Sequence, residues 1–194
     1  MSRVLAHVPN ALTVSRILLI PVFVVFFLEP TPERSLYAAA VFGLAALTDA
    51  VDGYLARRWG QVTNLGKLLD PIADKLLILT ALFLLVGFDV VEAWVAIVLA
   101  GRELFVTGLR NVAAREGVLL EVKTTGKLKM AAQVVAILLL ILDGAIPARF
   151  DLYLWGTGIL LLSMALSLIS AAQYCRQFVI QVFPRWGTNG GSPS

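Results

Sequence analysis

The chain has 194 residues, 59% of them hydrophobic and only 15% charged, with a formal net charge of +3. Soluble domains carry about 25% charged residues, so the composition excludes an ordinary water-soluble globule and points to a chain that lives in a bilayer. The lone Cys175 excludes a disulfide within one monomer, and the lack of a helix-turn-helix or zinc-ligand pattern argues against nucleic acid as the partner of the positive charge.

Six apolar stretches approach the roughly 20 residues that span a hydrocarbon core, at about 11–28, 35–55, 68–88, 91–112, 124–142 and 152–172. The expected fold is all-α, a polytopic membrane protein of six transmembrane helices preceded by a short interfacial segment that carries His7. The first stretch contains Arg16 and lacks a small-residue cleavage signature, so it reads as a retained span and not a leader. Turn signals separate the stretches: Pro30 and Pro32 with Glu29 and Glu33, then Gly60 to Gly66, Gly87 to Asp89, Gly117 to Gly126, and Asp143 to Asp151. Residues 1–180 read as a single membrane-embedded domain, and 181–194, rich in Gly and Ser from Gly187 on, as a flexible tail. Cys175, near the end of the last span, reads as a buried apolar thiol. Trp59, Trp94, Trp155 and Trp186 stand near span ends, as interfacial anchors do.

Orientation follows from the basic residues between spans, since Lys and Arg are retained on the cytoplasmic side. With the N-terminus inside, eleven fall on inner segments (Arg3, Arg57, Arg58, Lys67, Arg110, Arg115, Lys123, Lys127, Lys129, Arg176, Arg185) and two on outer ones (Arg34, Arg149). The expected location is the inner (plasma) membrane, multi-pass, with both termini cytoplasmic.

Of thirteen acidic residues, five lie within the spans: Asp49, Asp52, Asp70, Asp74 and Glu103. Charges there are costly, which makes them functional candidates by default. At 100° per residue, Asp49, Asp52, Gly53 and Ala56 share a stripe about 100° wide, and Asp70 and Asp74 stand one turn apart. Four converging carboxylates repel unless cations sit between them. Oxygen donors without His or Cys select Mg²⁺ or Mn²⁺ over zinc, and this many acids suits two ions about 4 Å apart, as at sites that clamp both oxygens of a phosphoryl displacement. Gly53 and Ala56 leave room for a ligand against the helix backbone, and Arg57 can hold phosphate bidentately. Taken alone, the same small residues would simply permit close helix packing.

Asp49, two residues, Asp52-Gly53, two residues, Ala56-Arg57, eight residues, Gly66, three residues, Asp70, three residues and Asp74 fill every fixed position of a known signature. Eight such positions at background frequencies of about 0.06 coincide by chance about once in 10¹⁰ trials. The pattern resembles that of the CDP-alcohol phosphotransferases. Asn10, Thr13, Arg16 and Pro21, the run Gly101-Arg102-Glu103-Leu104 through Leu109-Arg110, and Gly126-Lys127-Leu128-Lys129 followed by Gln133 are similar to the bacterial phosphatidylglycerophosphate synthases of that family. Met130 departs from them, standing where they often have Thr.

The resemblance implies transfer of a phosphatidyl group from CDP-diacylglycerol to an alcohol, with release of CMP. It implies metal ligands at Asp49, Asp52, Asp70 and Asp74, the general base at Asp74, and donor contacts at Leu12, Thr13, Val14, Ser15, Gly53, Ala56, Arg57, Thr63 and Gly66. It also implies a homodimer. A phosphorylated acceptor needs cations, and Arg110 and Lys127, with Arg102 and Lys129 as further candidates, lie on the fourth and fifth stretches or their inner ends. Topology offers another reading, in which Arg115, Lys123 and Lys129 anchor helices at the inner surface and Arg102 pairs with Glu103 or a neighbouring helix. Lys75 projects about 100° from Asp74 and reads as a structural countercharge. Glycerol 3-phosphate is the expected acceptor, with inositol phosphate, serine and phosphatidylglycerol as alternatives.

Two rivals share part of this pattern. Asp70 and Asp74 alone also suit an intramembrane prenyltransferase, against which the Gly53-Ala56-Arg57 spacing counts. A divalent-cation transporter would use the acids as its path, but leaves those three residues and the basic positions unexplained.

Overall fold

The computed structural model describes residues 8–29, 31–59, 64–118, 120, 125–146 and 150–182, and side chains at 15–29, 31–48, 73, 75–118, 120, 129–146 and 150–182. Regular structure among them is helical: α1 (Val8–Phe27), α2 (Pro32–Trp59), α3 (Asn64–Gly87), α4 (Ala93–Arg115), α5 (Thr125–Asp143) and α6 (Leu152–Gln181). Each apolar stretch lies on one of these helices. The differences are at the ends, where α2, α3 and α6 run on through polar residues such as Arg57, Arg58 and Arg176. Arg and Lys are good helix formers, so a helix outlasts the apolar run that reveals it. By length and composition α6 can cross a membrane, and shorter apolar helical stretches occupy Ser15–Phe27 and Lys75–Gly87. The N-terminal segment with His7 and the tail after Val182 lie outside the described residues.

The helix ends follow from local chemistry. Thr31 caps α2: the Arg34 amide donates to Thr31 Oγ1 at 3.3 Å and the Ser35 amide to the Thr31 carbonyl at 2.8 Å. Pro32 takes the first helical position, where its missing N–H costs nothing, and Glu33 favours the positive end of the helix. At the end of α3 the Val90 amide reaches back to the Leu85 carbonyl (2.9 Å) and the Asp89 amide to Val86 (3.0 Å). This is a Schellman stop, with Asp89 in the left-handed region at φ 57°. α4 stops the same way: Val118 bonds back to Ala113 and Gly117, at φ 68°, to Ala114. The Asp143 carboxylate, at the end of α5, accepts from the Tyr153 amide at 2.9 Å and so caps the start of α6.

The chain divides into two compact units. The first comprises 1–92 and 134–158, hence α1, α2, α3, most of α5 and the start of α6. Phe23 and Phe27 stack at 5.7 Å, Phe23 meets Phe42 at 5.7 Å, and Phe27 meets Phe88 edge-on at 5.5 Å. Ala38, Ala45, Ala81, Leu82, Leu85 and Ile137 are among the other residues of this buried core. Gly156 lets α6 approach α5 closely, since a Cβ there would stand 2.8 Å from Leu140 Cγ and 3.3 Å from the Ala136 carbonyl oxygen.

The second unit comprises 93–133 and 159–194, hence α4, the start of α5 and most of α6. Its interior includes Val95, Leu99, Val106 and Leu160, with a cluster of Ala113, Val118, Leu120 and Val182 against which Tyr174 and Phe178 pack. Val118 and Ala113 are the residues whose contact commonly seals a Schellman stop. The interior is also polar: Arg102, Lys129, Gln133, Ser163, Ser167 and Ser170 are all buried.

Candidate functional site

The sequence motif lies within the first unit. Asp49, Asp52, Gly53, Ala56 and Arg57 fall in the second half of α2, Gly66, Asp70 and Asp74 in the first half of α3, and Leu12 to Ser15 in α1. These three helices pack pairwise on one another. A helix turns once in 3.6 residues, so Asp49 with Asp52, and Asp70 with Asp74, are each about one turn apart on adjacent helices. The four acidic positions offer carboxylate oxygen alone, the donor type that a hard divalent cation takes. Thr63 lies outside the described residues, as do the side chains of Leu12, Thr13, Val14, Asp49, Asp52, Gly53, Ala56, Arg57, Gly66, Asp70 and Asp74. Around them, Ala73 is fully buried and Ser15 half-buried. Thr48, next to Asp49, donates its hydroxyl to the Ala45 carbonyl at 2.8 Å, a bond within its own helix.

The second unit holds a cluster of a different kind. Arg102 on α4 is 6% exposed and Lys129 on α5 is 8% exposed, and both donate to Oε1 of Glu103, the lysine at 3.2 Å. Arg102 Nε also donates to the Ser167 carbonyl of α6 at 3.0 Å, so the guanidinium ties two helices together. Its Nη2 is buried with no hydrogen-bond partner among the described residues. Taking two cations out of water beside a single half-buried carboxylate is costly, and only good geometry or a further anion offsets the unbalanced positive charge.

The positions expected to bind the acceptor therefore divide. Arg102 and Lys129 converge, Arg110 is exposed further along α4, and the Lys127 side chain lies outside those described. Arg102 also makes both contacts that the topological reading expects of it, to Glu103 and to a neighbouring helix. Met130 is exposed, so its departure from the usual Thr falls outside the buried cluster. Cys175 is a free thiol and half-buried, less enclosed than expected, because the last turns of α6 leave much of their surface open. Trp94 and Trp155 are exposed, while Trp186 and the Trp59 side chain lie outside those described. Sequence reasoning counted Glu103 among the intramembrane acids and gave it no task in the reaction. The available signal was one carboxylate between an adjacent Arg and a Lys on the next helix.

Residues 6–172 match the CDP-alcohol phosphatidyltransferase family. The chain belongs to this family. Its relatives include a CDP-diacylglycerol–glycerol-3-phosphate 3-phosphatidyltransferase of Bacillus subtilis (strain 168), 42% identical over 77% of this chain and 86% of the relative. Proteins of the same name match from Pseudomonas fluorescens, 41% identical over 88% of this chain and 89% of theirs, and from Rickettsia bellii, 35% identical over 89% and 97%. Family membership accounts for the motif on α2 and α3, and it disfavours both the prenyltransferase and the transporter.

Proposed function

We propose that this chain transfers the phosphatidyl group of CDP-diacylglycerol to glycerol 3-phosphate, giving phosphatidylglycerophosphate and CMP. The observation that carries this reading is the 42% identity, over 86% of its length, to a relative named for that reaction. The complete Asp49–Asp74 motif supports the donor half, and the buried Arg102 and Lys129 support an anionic acceptor.

The chain works as a polytopic membrane protein with six spans and both termini in the cytoplasm. Large apolar side chains such as Ile97 (67% exposed) and Leu154 (69%) stand outward from α4 and α6. A surface of that kind suits lipid better than water. Basic residues favour the inner segments by eleven to two, which puts the Asp motif near the cytoplasmic leaflet of the plasma membrane. The active form is a homodimer.

Asp49, Asp52, Asp70 and Asp74 would hold two divalent cations, Mg²⁺ or Mn²⁺, which when bound would supply neutralisation of the pyrophosphate and of departing CMP. Arg57 binds a donor phosphate oxygen, and Gly53, Ala56 and Gly66 leave space for the nucleotide beside the helix backbone, with Thr63 and the Leu12, Thr13, Val14, Ser15 turn as further donor contacts. Asp74 accepts the proton of the acceptor hydroxyl as its oxygen bonds to the diacylglycerol-linked phosphorus. The bond from that phosphorus to the bridging oxygen breaks, and CMP departs. Arg102, Arg110, Lys127 and Lys129 bind the phosphate of glycerol 3-phosphate.

Purified protein supplied with Mg²⁺ or Mn²⁺ and CDP-diacylglycerol should release CMP only when an alcohol is present. Glycerol 3-phosphate, inositol phosphate, serine and phosphatidylglycerol tested side by side decide the acceptor. Turnover with serine but not glycerol 3-phosphate would overturn the acceptor assignment, and no CMP with any of them would overturn the reaction itself.

A further inference from the structure

The cluster in the second unit carries one carboxylate that the proposed reaction does not use. Oε1 of Glu103 accepts from both Arg102 Nη1 and Lys129 Nζ, although these cations come from different helices 26 residues apart at the Glu103–Lys129 pair. Two cations at such separation repel, more strongly in a poorly hydrated interior than in water. Arg102 is held by Ser167 as well, whereas among the described contacts Lys129 has Glu103 alone as its hydrogen-bond acceptor. A lysine is a point charge on a flexible four-carbon stem, so without the carboxylate its ammonium has nothing to hold it beside the guanidinium. The remaining Arg102 Nη2 is buried and has no partner among the described residues, an uncommon state for such a donor and one that an arriving anion relieves.

We infer that Glu103 is a positioning residue for the acceptor: its carboxylate holds Arg102 and Lys129 side by side so that Nη2 and the ammonium receive the acceptor's phosphate together. This rests on the acceptor role proposed above for those two cations. Glu103 does not itself contact the phosphate, which its charge repels. Two accounts of this carboxylate therefore predict opposite signs. If its bare charge governed, Glu103→Gln would raise the formal charge of the three-residue cluster from +1 to +2 and tighten acceptor binding. If positioning governs, the same change weakens it.

Steady-state CMP release by the enzyme in liposomes, with Mg²⁺ and CDP-diacylglycerol, separates them. Glu103→Gln should raise the KM for glycerol 3-phosphate about tenfold, equivalent to losing one charge-assisted hydrogen bond. The KM for CDP-diacylglycerol should stay within about twofold, since none of the donor contacts proposed above involves Glu103. Glu103→Asp, which keeps the charge on a shorter stem, should cost about threefold. Because Glu103 acts through Lys129, adding Glu103→Gln to Lys129→Met should raise the acceptor KM less than it does alone.

An unchanged or lower acceptor KM in Glu103→Gln, with Lys129→Met still raising it, overturns the positioning role and leaves the acceptor reading standing. A fall in kcat and thermal stability with both KM values unchanged overturns it in favour of a purely structural one. If neither Lys129→Met nor Arg102→Lys alters the acceptor KM, the acceptor reading fails and this inference with it. Should Glu103→Gln not fold, Glu103→Asp decides, and an unchanged acceptor KM there overturns the role.

Discussion

The two units carry their chemistry in different ways. In the first, the acidic positions lie on consecutive helices, three and four residues apart within each pair, so the chain's own spacing spells out the site. In the second, Arg102 meets a carbonyl 65 residues away and Glu103 an ammonium 26 residues away, across three helices. The first is encoded by local periodicity and the second by tertiary packing. In the function proposed above, chemistry at the phosphorus belongs to the former and selection of the acceptor to the latter.

The strongest test of that division is Asp74→Asn. If the first unit supplies the proton acceptor, this variant should lower the rate of CMP release by about 10²–10⁴-fold, the usual worth of a positioned base. CDP-diacylglycerol binding, measured with labelled donor on the purified protein, should survive. The acceptor concentration giving half-maximal rate should change little, because the cations of the second unit are untouched. Near-normal turnover would remove Asp74 as the base. A large rise in acceptor KM alone would break the division of labour between the units.

What could be read from the sequence follows the same line. All six helices among the described residues were legible, because an apolar run of nearly 20 residues has few alternatives to a helix. The Asp49–Asp74 motif was legible as a spacing pattern, and its positions fall on two consecutive helices. The ends of α3 and α4 were legible to within a few residues from the turn signals at Gly87–Asp89 and Gly117, and the left-handed stops fall at Asp89 and Gly117. They were not at Trp59 or Gln181, where the helix continues past its apolar run. The convergence of Arg102, Glu103 and Lys129 was not legible as a unit. Arg102 next to Glu103 hinted at a pair, but nothing in local spacing assigns Lys129 to the same carboxylate, since that depends on how α4 and α5 pack.

A contact of the second kind can govern stability as well as chemistry, and Gly156 is the sharpest instance. As a sequence feature it is one more glycine in an apolar run. In the fold, a Cβ there meets Leu140 Cγ at 2.8 Å and the Ala136 carbonyl oxygen at 3.3 Å, and neither is the free end of a flexible side chain. Gly156→Ala gains up to about 1 kcal/mol of helix propensity but forces α6 away from α5, a repacking that costs about 1–3 kcal/mol. The expected outcome is a net loss, seen as a lower thermal midpoint in detergent. Leu140→Ala in the same chain should restore part of it relative to the sum of the single changes, since the two sites share one space. A Gly156→Ala variant as stable as the parent would show that α5 and α6 do not need this approach.

Thr31→Ala gives the counterpart at the legible end of the comparison, and its effect should be the smallest. Pro30 and Pro32 mark the turn in the sequence, and Thr31 between them accepts from the Arg34 amide at the first turn of α2. Loss of such a cap costs about 0.5–2 kcal/mol in general. The lower part of that range applies here, because Thr31 is exposed and water can replace the lost acceptor. The neighbouring Glu29–Arg34 ion pair is also exposed and adds at most about 1 kcal/mol. Thr31→Ala should therefore lower the thermal midpoint less than Gly156→Ala does and leave CMP release unchanged. Were the order reversed, the end of α2 remote from the Asp motif would matter more to the fold than the crossing of α5 and α6, and the ease of reading a feature in the sequence would then track its energetic weight after all.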